Sequence, residues 1–145
     1  MPRFMKSLNN ISRSQATFRS ERVVREGLCA SHHAFVLTIC RHPGRSQEEI
    51  ASELCLNKST VTRALAHLEE QGYIRREQSL EDKRQFLVFP TEKMLDALEE
   101  IRNVSREWNL LISEGISENE LEIFYSVLSK MEQRAKEIID KEDAR

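Results

Sequence analysis

Apolar side chains recur along this chain with two periods, one helical and one extended. Phe4, Leu8, Ile11 and Phe18 are spaced by four, three and seven, which puts them on one stripe of an N-terminal helix, with Arg13, Arg19 and Arg22 elsewhere around it. Gly27 is placed to end that helix. Ala34, Phe35, Val36, Leu37 and Ile39 predict a short, largely buried helix that stops at His42-Pro43-Gly44, because neither proline nor glycine continues it. Ser46-Gln47-Glu48-Glu49 fits a capping box, a serine hydroxyl and a glutamate three residues on satisfying free N–H groups at a helix start. The helix it opens carries Ile50, Ala51 and Leu54 on one face. A break at Leu56-Asn57 leads to a second helix with Val61, Ala64, Leu65 and Leu68 inward, which Gly72 is placed to end in a left-handed cap. Two short helices and a tight turn of this kind form a helix-turn-helix pattern.

After Gly72 the pattern becomes extended. Tyr73-Ile74-Arg75-Arg76 begins one strand, Gln85-Phe86-Leu87-Val88-Phe89 makes another, and the polar stretch Gln78 to Arg84 joins them. A charged two-stranded ribbon directly after such a helix is a wing. Beyond Pro90 a long helix is expected from about Thr91 to a break near Gly115, with Met94, Leu98, Ile101, Trp108 and Ile112 inward. Ser117-Glu118-Asn119-Glu120 repeats the capping box, and Leu121, Phe124, Leu128, Met131, Ala135 and Ile138 then alternate by three and four. That stripe is long for a helix at the edge of a small domain, and it reads as a helix-to-helix dimer seam. The fold class is therefore mainly α with a small β-wing. In a single domain of 145 residues, a winged helix-turn-helix region spans 31–90, and helical dimerisation regions occupy 1–30 and 91–145.

Composition supports a soluble, helix-rich protein: 32% of residues are charged, 39% hydrophobic, and Gly and Pro are few, which argues against disorder. No apolar run is long enough to span a membrane, and the first residues are too charged for a secretory signal, so no membrane is expected as partner and the cytoplasm is the expected location. Three cysteines, Cys29, Cys40 and Cys55, suggest neither a disulfide framework nor a zinc knuckle, and are expected to be reduced and mostly buried. The net charge of −2 hides a gradient. Residues 1–40 carry six Lys/Arg against two Asp/Glu, residues 41–90 eight against eight, and residues 91–145 eight against fourteen. Within the middle segment, Asn57 to His67 holds Lys58 and Arg63 and no acid.

The order of these motifs resembles the MarR family of winged-helix regulators. The resemblance is carried by Ser46-Gln47 with Ile50-Ala51, by Ser59-Thr60-Val61-Thr62-Arg63, by Leu68-Glu69 followed by Gly72-Tyr73-Ile74 and Arg76, and by Asp82-Lys83-Arg84. It covers about fifty residues by motif and the whole chain by architecture. The family resemblance implies a two-fold dimer straddling a pseudo-palindromic DNA operator, and repression relieved by a small ligand or by oxidation. It also implies that the acid of the wing tip orients arginine, Asp82 pairing with Arg84 or Arg76. Phe89-Pro90-Thr91-Glu92-Lys93-Met94 departs from the family's Leu-Thr and glycine, which leaves the end of the return strand open.

A major groove admits one helix, whose first turns reach base edges, so Lys58, Ser59, Thr60, Thr62 and Arg63 are candidate contacts. Arg63 suits a bidentate pair with guanine and Lys58 a phosphate; Lys83 and Arg84 of the wing suit the backbone or a narrow minor groove. An effector is expected near residues 8–39 and the turns after Thr91, where Arg19, His32 and His33 suit an anionic aromatic compound. Metal sensing through Glu26, Cys29, His32 and His33 lacks a second set of ligands, and thiol sensing needs an exposed, activated cysteine, whereas Cys40 and Cys55 look buried. No phosphate loop, nucleophile elbow, paired-histidine metal motif or catalytic Cys/His signature is present, so neither enzyme nor cofactor is expected. The rival reading is a winged-helix module that binds protein and not DNA.

Overall fold

The computed structural model describes residues 3–145. In chain order these form α1 (Phe4–Arg22), a 3-10 turn (Ala30–His32), α2 (His33–Arg41), β1 (Arg45–Ser46), α3 (Gln47–Leu54), α4 (Lys58–Glu70), β2 (Ile74–Gln78), β3 (Phe86–Pro90), α5 (Glu92–Ile112) and α6 (Glu118–Asp143). Residues 1 and 2 of the expected N-terminal helical region lie outside the described residues. The fold is mainly helical with a small antiparallel sheet. The chain divides into two compact units, one through Trp108 and the other Asn109–Arg145.

In the first unit the capping box forms as its sequence predicts: Ser46 Oγ accepts from the Glu49 N–H at 3.3 Å, and Glu49 Oε2 accepts from the Ser46 N–H at 2.8 Å. Ile50 and Ala51 of α3 then meet Val61, Leu65 and Leu68 of α4 in one core with Phe35, Val36 and Ile39 of α2, Tyr73, Ile74 and Val88 of the sheet, and Met94, Ala97, Leu98, Ile101 and Val104 of α5. Most of these side chains are completely removed from water, and burial of that apolar area is the main force holding α4 in place. Gly72, at φ +78, ends α4 in the left-handed conformation that only glycine adopts freely, and turns the chain into the sheet.

The sheet has three strands in the order β1-β3-β2, both pairings antiparallel. Arg76 lies opposite Val88 and Gln78 opposite Phe86, while Arg45 and Ser46 face Val88 and Leu87 from the other side. The third strand was not expected, since two residues carry no readable alternation before the capping box. The departure at Phe89-Pro90-Thr91 is resolved by pairing: β3 runs to Pro90, and Thr91 Oγ1 donates to the Gly72 carbonyl at 2.6 Å, while the Thr91 N–H donates to that of Tyr73 at 3.0 Å. This stitches the end of the wing to the end of α4.

Four expectations need correction. Helix α1 ends at Arg22 and not at Gly27, because Val23 turns extended to enter the core at 3% exposure. Gly27 instead occupies a turn closed by bridge pairing of Arg25 with Leu28. Cys55, expected buried, is exposed, as is Cys29; Cys55 sits in the left-handed turn between α3 and α4 at φ +53, where the chain leaves the core. Ile112, expected inward, is 41% exposed, and Trp108 is half-buried, its ring 5.2 Å from that of Phe18.

In the second unit Gly115 and the Ser117 capping box open α6, with Glu120 Oε2 accepting from the Ser117 N–H at 2.9 Å. That hydrogen bonding holds the Glu120 carboxyl below its usual range. No side chain of α6 is buried: Leu121 and Leu128 are half-covered, and Phe124, Met131 and Ile138 are exposed. Among the described residues no helix is long and apolar enough to cross a membrane.

Candidate nucleic-acid interface

Helix α4 presents a polar face because its apolar positions are fixed underneath. Val61, Leu65 and Leu68 are fully buried, which leaves Lys58, Ser59, Thr62 and Arg63 exposed and Thr60 partly so. Its start is capped by Asn57, whose Oδ1 accepts from the Thr60 N–H and from the Ser59 hydroxyl, each at 2.8 Å. Thr62 donates its hydroxyl to the Lys58 carbonyl at 2.8 Å and accepts from Gln47 Nε2, at the first residue of α3. Asn57 was missed as a cap in the sequence, although an asparagine three residues before Thr60 is a legible N-cap signal. Gln47 was marked only as part of the Ser46-Gln47 motif; nothing in the sequence shows its tie to Thr62, fifteen residues away.

The wing tip is built by its own hydrogen bonds. Ser79, buried, accepts at Oγ from the N–H groups of Glu81 and Asp82, both at 3.3 Å, and its N–H donates to the Gln85 carbonyl at 2.9 Å. Asp82 Oδ1 accepts from the Arg84 backbone N–H at 3.0 Å, and Gln78 Nε2 donates to the Lys83 carbonyl at 2.7 Å. Asp82 thus engages the Arg84 main chain. Arg76 faces Glu69 of α4 at 3.4 Å, tying the wing to that helix. Gln47, Glu48, Arg76, Arg84, Gln85 and Phe86 line a cleft of about 120 Å³ between the start of α3 and the wing.

The cations around the helix-turn-helix and the wing differ in how far carboxylates engage them. Arg25, Arg45, Arg75 and Arg76 are committed to Glu100, Glu53, Glu77 and Glu69. Among the described residues, Lys58 and Arg63 on α4 and Lys83 and Arg84 on the wing have exposed side chains and enter no ion pair. An array of unpaired positive charge on a helix start and an adjoining hairpin suits a polyanion.

Of the effector candidates, His33 is completely buried on α2 with neither ring nitrogen hydrogen-bonded, and Arg19 Nε on α1 is likewise buried without a partner. Burial, with the nearby Arg19 and His32 charges and against the pull of Glu100, pushes the His33 pKa down to about 4. His32 is engaged differently. Its Nδ1 accepts from the Cys29 N–H at 3.2 Å and its ring stacks on His67 at 4.9 Å, while His67 Nε2 meets the Gly27 carbonyl at 2.8 Å. Burial and the neighbouring His67 lower the His32 pKa. Burial pushes the Cys40 thiol up, away from the reactive thiolate. Among the described residues no group of three or more His, Cys, Asp or Glu is placed to hold a metal ion.

Two packed helices, a tight turn and a three-stranded sheet ending in a basic hairpin define a winged helix-turn-helix protein. The MarR family model matches residues 28–86, from just before α2 to the start of the return strand. Over those residues the chain is similar to the MarR family, whose members are DNA-binding transcriptional regulators, and the curated relatives and solved structures that resemble it are regulators of this kind. It is 25% identical over 114 residues to the HTH-type transcriptional regulator BilQ of Clostridium symbiosum (strain WAL-14163), covering 79% of each chain. The crystal structure of MarR superposes with a TM-score of 0.82, at 28% identity over 97% of this chain and 95% of that one. A putative MarR family regulator from Listeria monocytogenes, crystallised with 26mer DNA, shares the fold with a TM-score of 0.88 at 23% identity, over 94% of this chain and 91% of that one.

Proposed function

We propose that this chain is a repressor that binds a pseudo-palindromic operator as a homodimer in the cytoplasm and is released by a small anionic effector. Each winged region, 31–90, sets α4 in the major groove and the wing on the adjacent backbone or minor groove. The observation that carries the reading is the set of four unpaired cations, Lys58, Arg63, Lys83 and Arg84, divided between α4 and the wing. Ser59, Thr60 and Thr62 complete the face turned to DNA, and Asp82 and Arg76 hold the wing in shape. That a protein of the same fold from Listeria monocytogenes was crystallised with 26mer DNA is consistent with this reading.

Dimerisation through 1–30 and 91–145 is supported by the apolar side chains those regions leave in water, Phe4 and Ile11 on α1 and Phe124, Met131 and Ile138 on α6. The effector reading rests on the buried Nε of Arg19 and the buried ring of His33, both without a hydrogen-bond partner, near His32.

Selection of bound duplexes from a random pool, followed by titration against salt, tests the proposal. An enriched inverted repeat supports it; no enriched sequence would leave a protein-docking module. Arg84→Ala is expected to weaken binding across most sequences and to lower the salt slope by about one, because one fewer counterion is released. Unchanged affinity at several salt concentrations would remove Arg84 from the interface. Arg63→Ala is expected to cost about 1–3 kcal/mol and to relax preference at one position per half-site. Equal losses on specific and random duplexes would reassign Arg63 to a phosphate.

A further inference from the structure

We infer that Thr62, held by Gln47, is a specificity-determining residue that reads the 5-methyl group of a thymine in each half-site; the inference rests on the proposed entry of α4 into the major groove. A threonine hydroxyl has one proton and two lone pairs. The proton of Thr62 is directed at the Lys58 carbonyl, 2.8 Å away, since a carbonyl has none to offer. Gln47 must therefore turn its amide N–H groups toward Thr62 Oγ1, and it does so through Nε2.

These two bonds fix both the chemistry and the direction of the side chain. With its proton engaged, Thr62 cannot donate to guanine O6 or N7, adenine N7 or thymine O4, which are the acceptors displayed in the major groove. Rotating to free it would break both bonds, and a β-branched side chain has few alternative rotamers in a helix. What is left is one lone pair of Oγ1, beside the Gln47 bond, and the Cγ2 methyl, which neither bond engages; the apolar feature that the methyl can meet in the groove is the thymine methyl. Ser59 is likewise committed as a donor, to Asn57 Oδ1. On α4, hydrogen-bond donation to bases thus falls to Lys58, Thr60 and Arg63, while Thr62 contributes an apolar contact. Gln47 holds Thr62 from α3 and lines a cleft together with Arg76 and Arg84, so the reader is anchored to the scaffold of the helix-turn-helix.

Deoxyuridine substitution tests this, because it deletes only the 5-methyl of a thymine. In the inverted repeat selected by the wild-type protein, thymines are replaced by deoxyuridine at symmetric positions one at a time. At one position per half-site, wild-type affinity is expected to fall about fourfold for each buried methyl deleted, and so about sixteenfold when both half-sites carry the substitution. Thr62→Ser should abolish the difference between thymine and deoxyuridine there, and Thr62→Val should keep it. Gln47→Ala, which releases the side chain, should reduce it while leaving the salt slope unchanged. No sensitive position, or a sensitivity that survives Thr62→Ser, would overturn the inference and leave DNA binding standing. Failure of the wild-type protein to select any sequence would overturn the DNA-reading role beneath it. Thr62 is exposed, so these variants should fold as the wild type does, which thermal unfolding verifies.

Discussion

Acidification from pH 7 to pH 4 is expected to remove about 3 kcal/mol of folding stability through His33 alone. The side chain is completely buried, and neither ring nitrogen has a hydrogen-bond partner to support a charge. Its pKa falls from 6.5 to about 4, chiefly because burial penalises the imidazolium, and further because Arg19 and His32 lie near; Glu100 opposes them. The sign follows from linkage. Above pH 6.5 both folded and unfolded chains hold His33 neutral, and no stability is lost. As pH falls below 6.5 the unfolded chain takes up a proton that the folded chain refuses until about pH 4, so stability declines across that window. Denaturant titrations of wild type and His33→Leu at pH 7, 5.5 and 4.5 isolate the effect from the titration of carboxylates, which both proteins share. The variant should lose markedly less between pH 7 and 4.5; parallel losses would show that His33 is solvated or paired in solution. An anion bound beside Arg19 and His33 should oppose the decline, because it stabilises the charged imidazole.

The same histidine shows where the sequence stops being informative. His32 and His33 are adjacent at a helix start, and nothing in that pattern tells which ring enters the core and which caps Cys29. The division is set by contacts with α1 and α4, from residues distant in sequence. Ser46, Ser117 and Gly72 were legible because capping and left-handed turns are decided by residues within one turn of the chain. The core positions of α3 and α4 were legible through their period. Cys55 was not, because a left-handed residue in a short turn has no period to follow, and β1 was not, because its two residues gain their strand character only from pairing with β3. At the interface the residue types were readable at Lys58 to Arg63 and Lys83 to Arg84. Which hydroxyls still have a free proton was not, since Thr62 is engaged by Gln47 across the turn and Ser59 by the cap.

Leu65→Ala is expected to lower folding stability by about 2–5 kcal/mol, although it alters no side chain that faces DNA. Leu65 is fully buried midway along α4, between Val61 and Leu68, and truncation removes apolar contact while leaving a cavity that the packed helices fill only in part. Polar ties bound the damage: Glu69 with Arg76 and the bonds of Thr91 to Gly72 and Tyr73 hold the far end of α4, and Asn57 holds its start. Against a typical total of about 5–15 kcal/mol, such a loss moves the urea midpoint strongly, with the slope of the transition unchanged if only stability is affected. The comparison with Arg63→Ala separates scaffold from surface. Arg63 is exposed and unpaired, so its removal should leave the denaturation curve within about 0.5 kcal/mol of wild type while weakening specific binding. Leu65→Ala should do the reverse at low temperature, where most molecules remain folded: a lowered midpoint, with the preferred sequence unchanged. A midpoint shift below about 1 kcal/mol for Leu65→Ala would mean that α4 resettles into the space, and the position of Thr62 and Arg63 would then have to move with it.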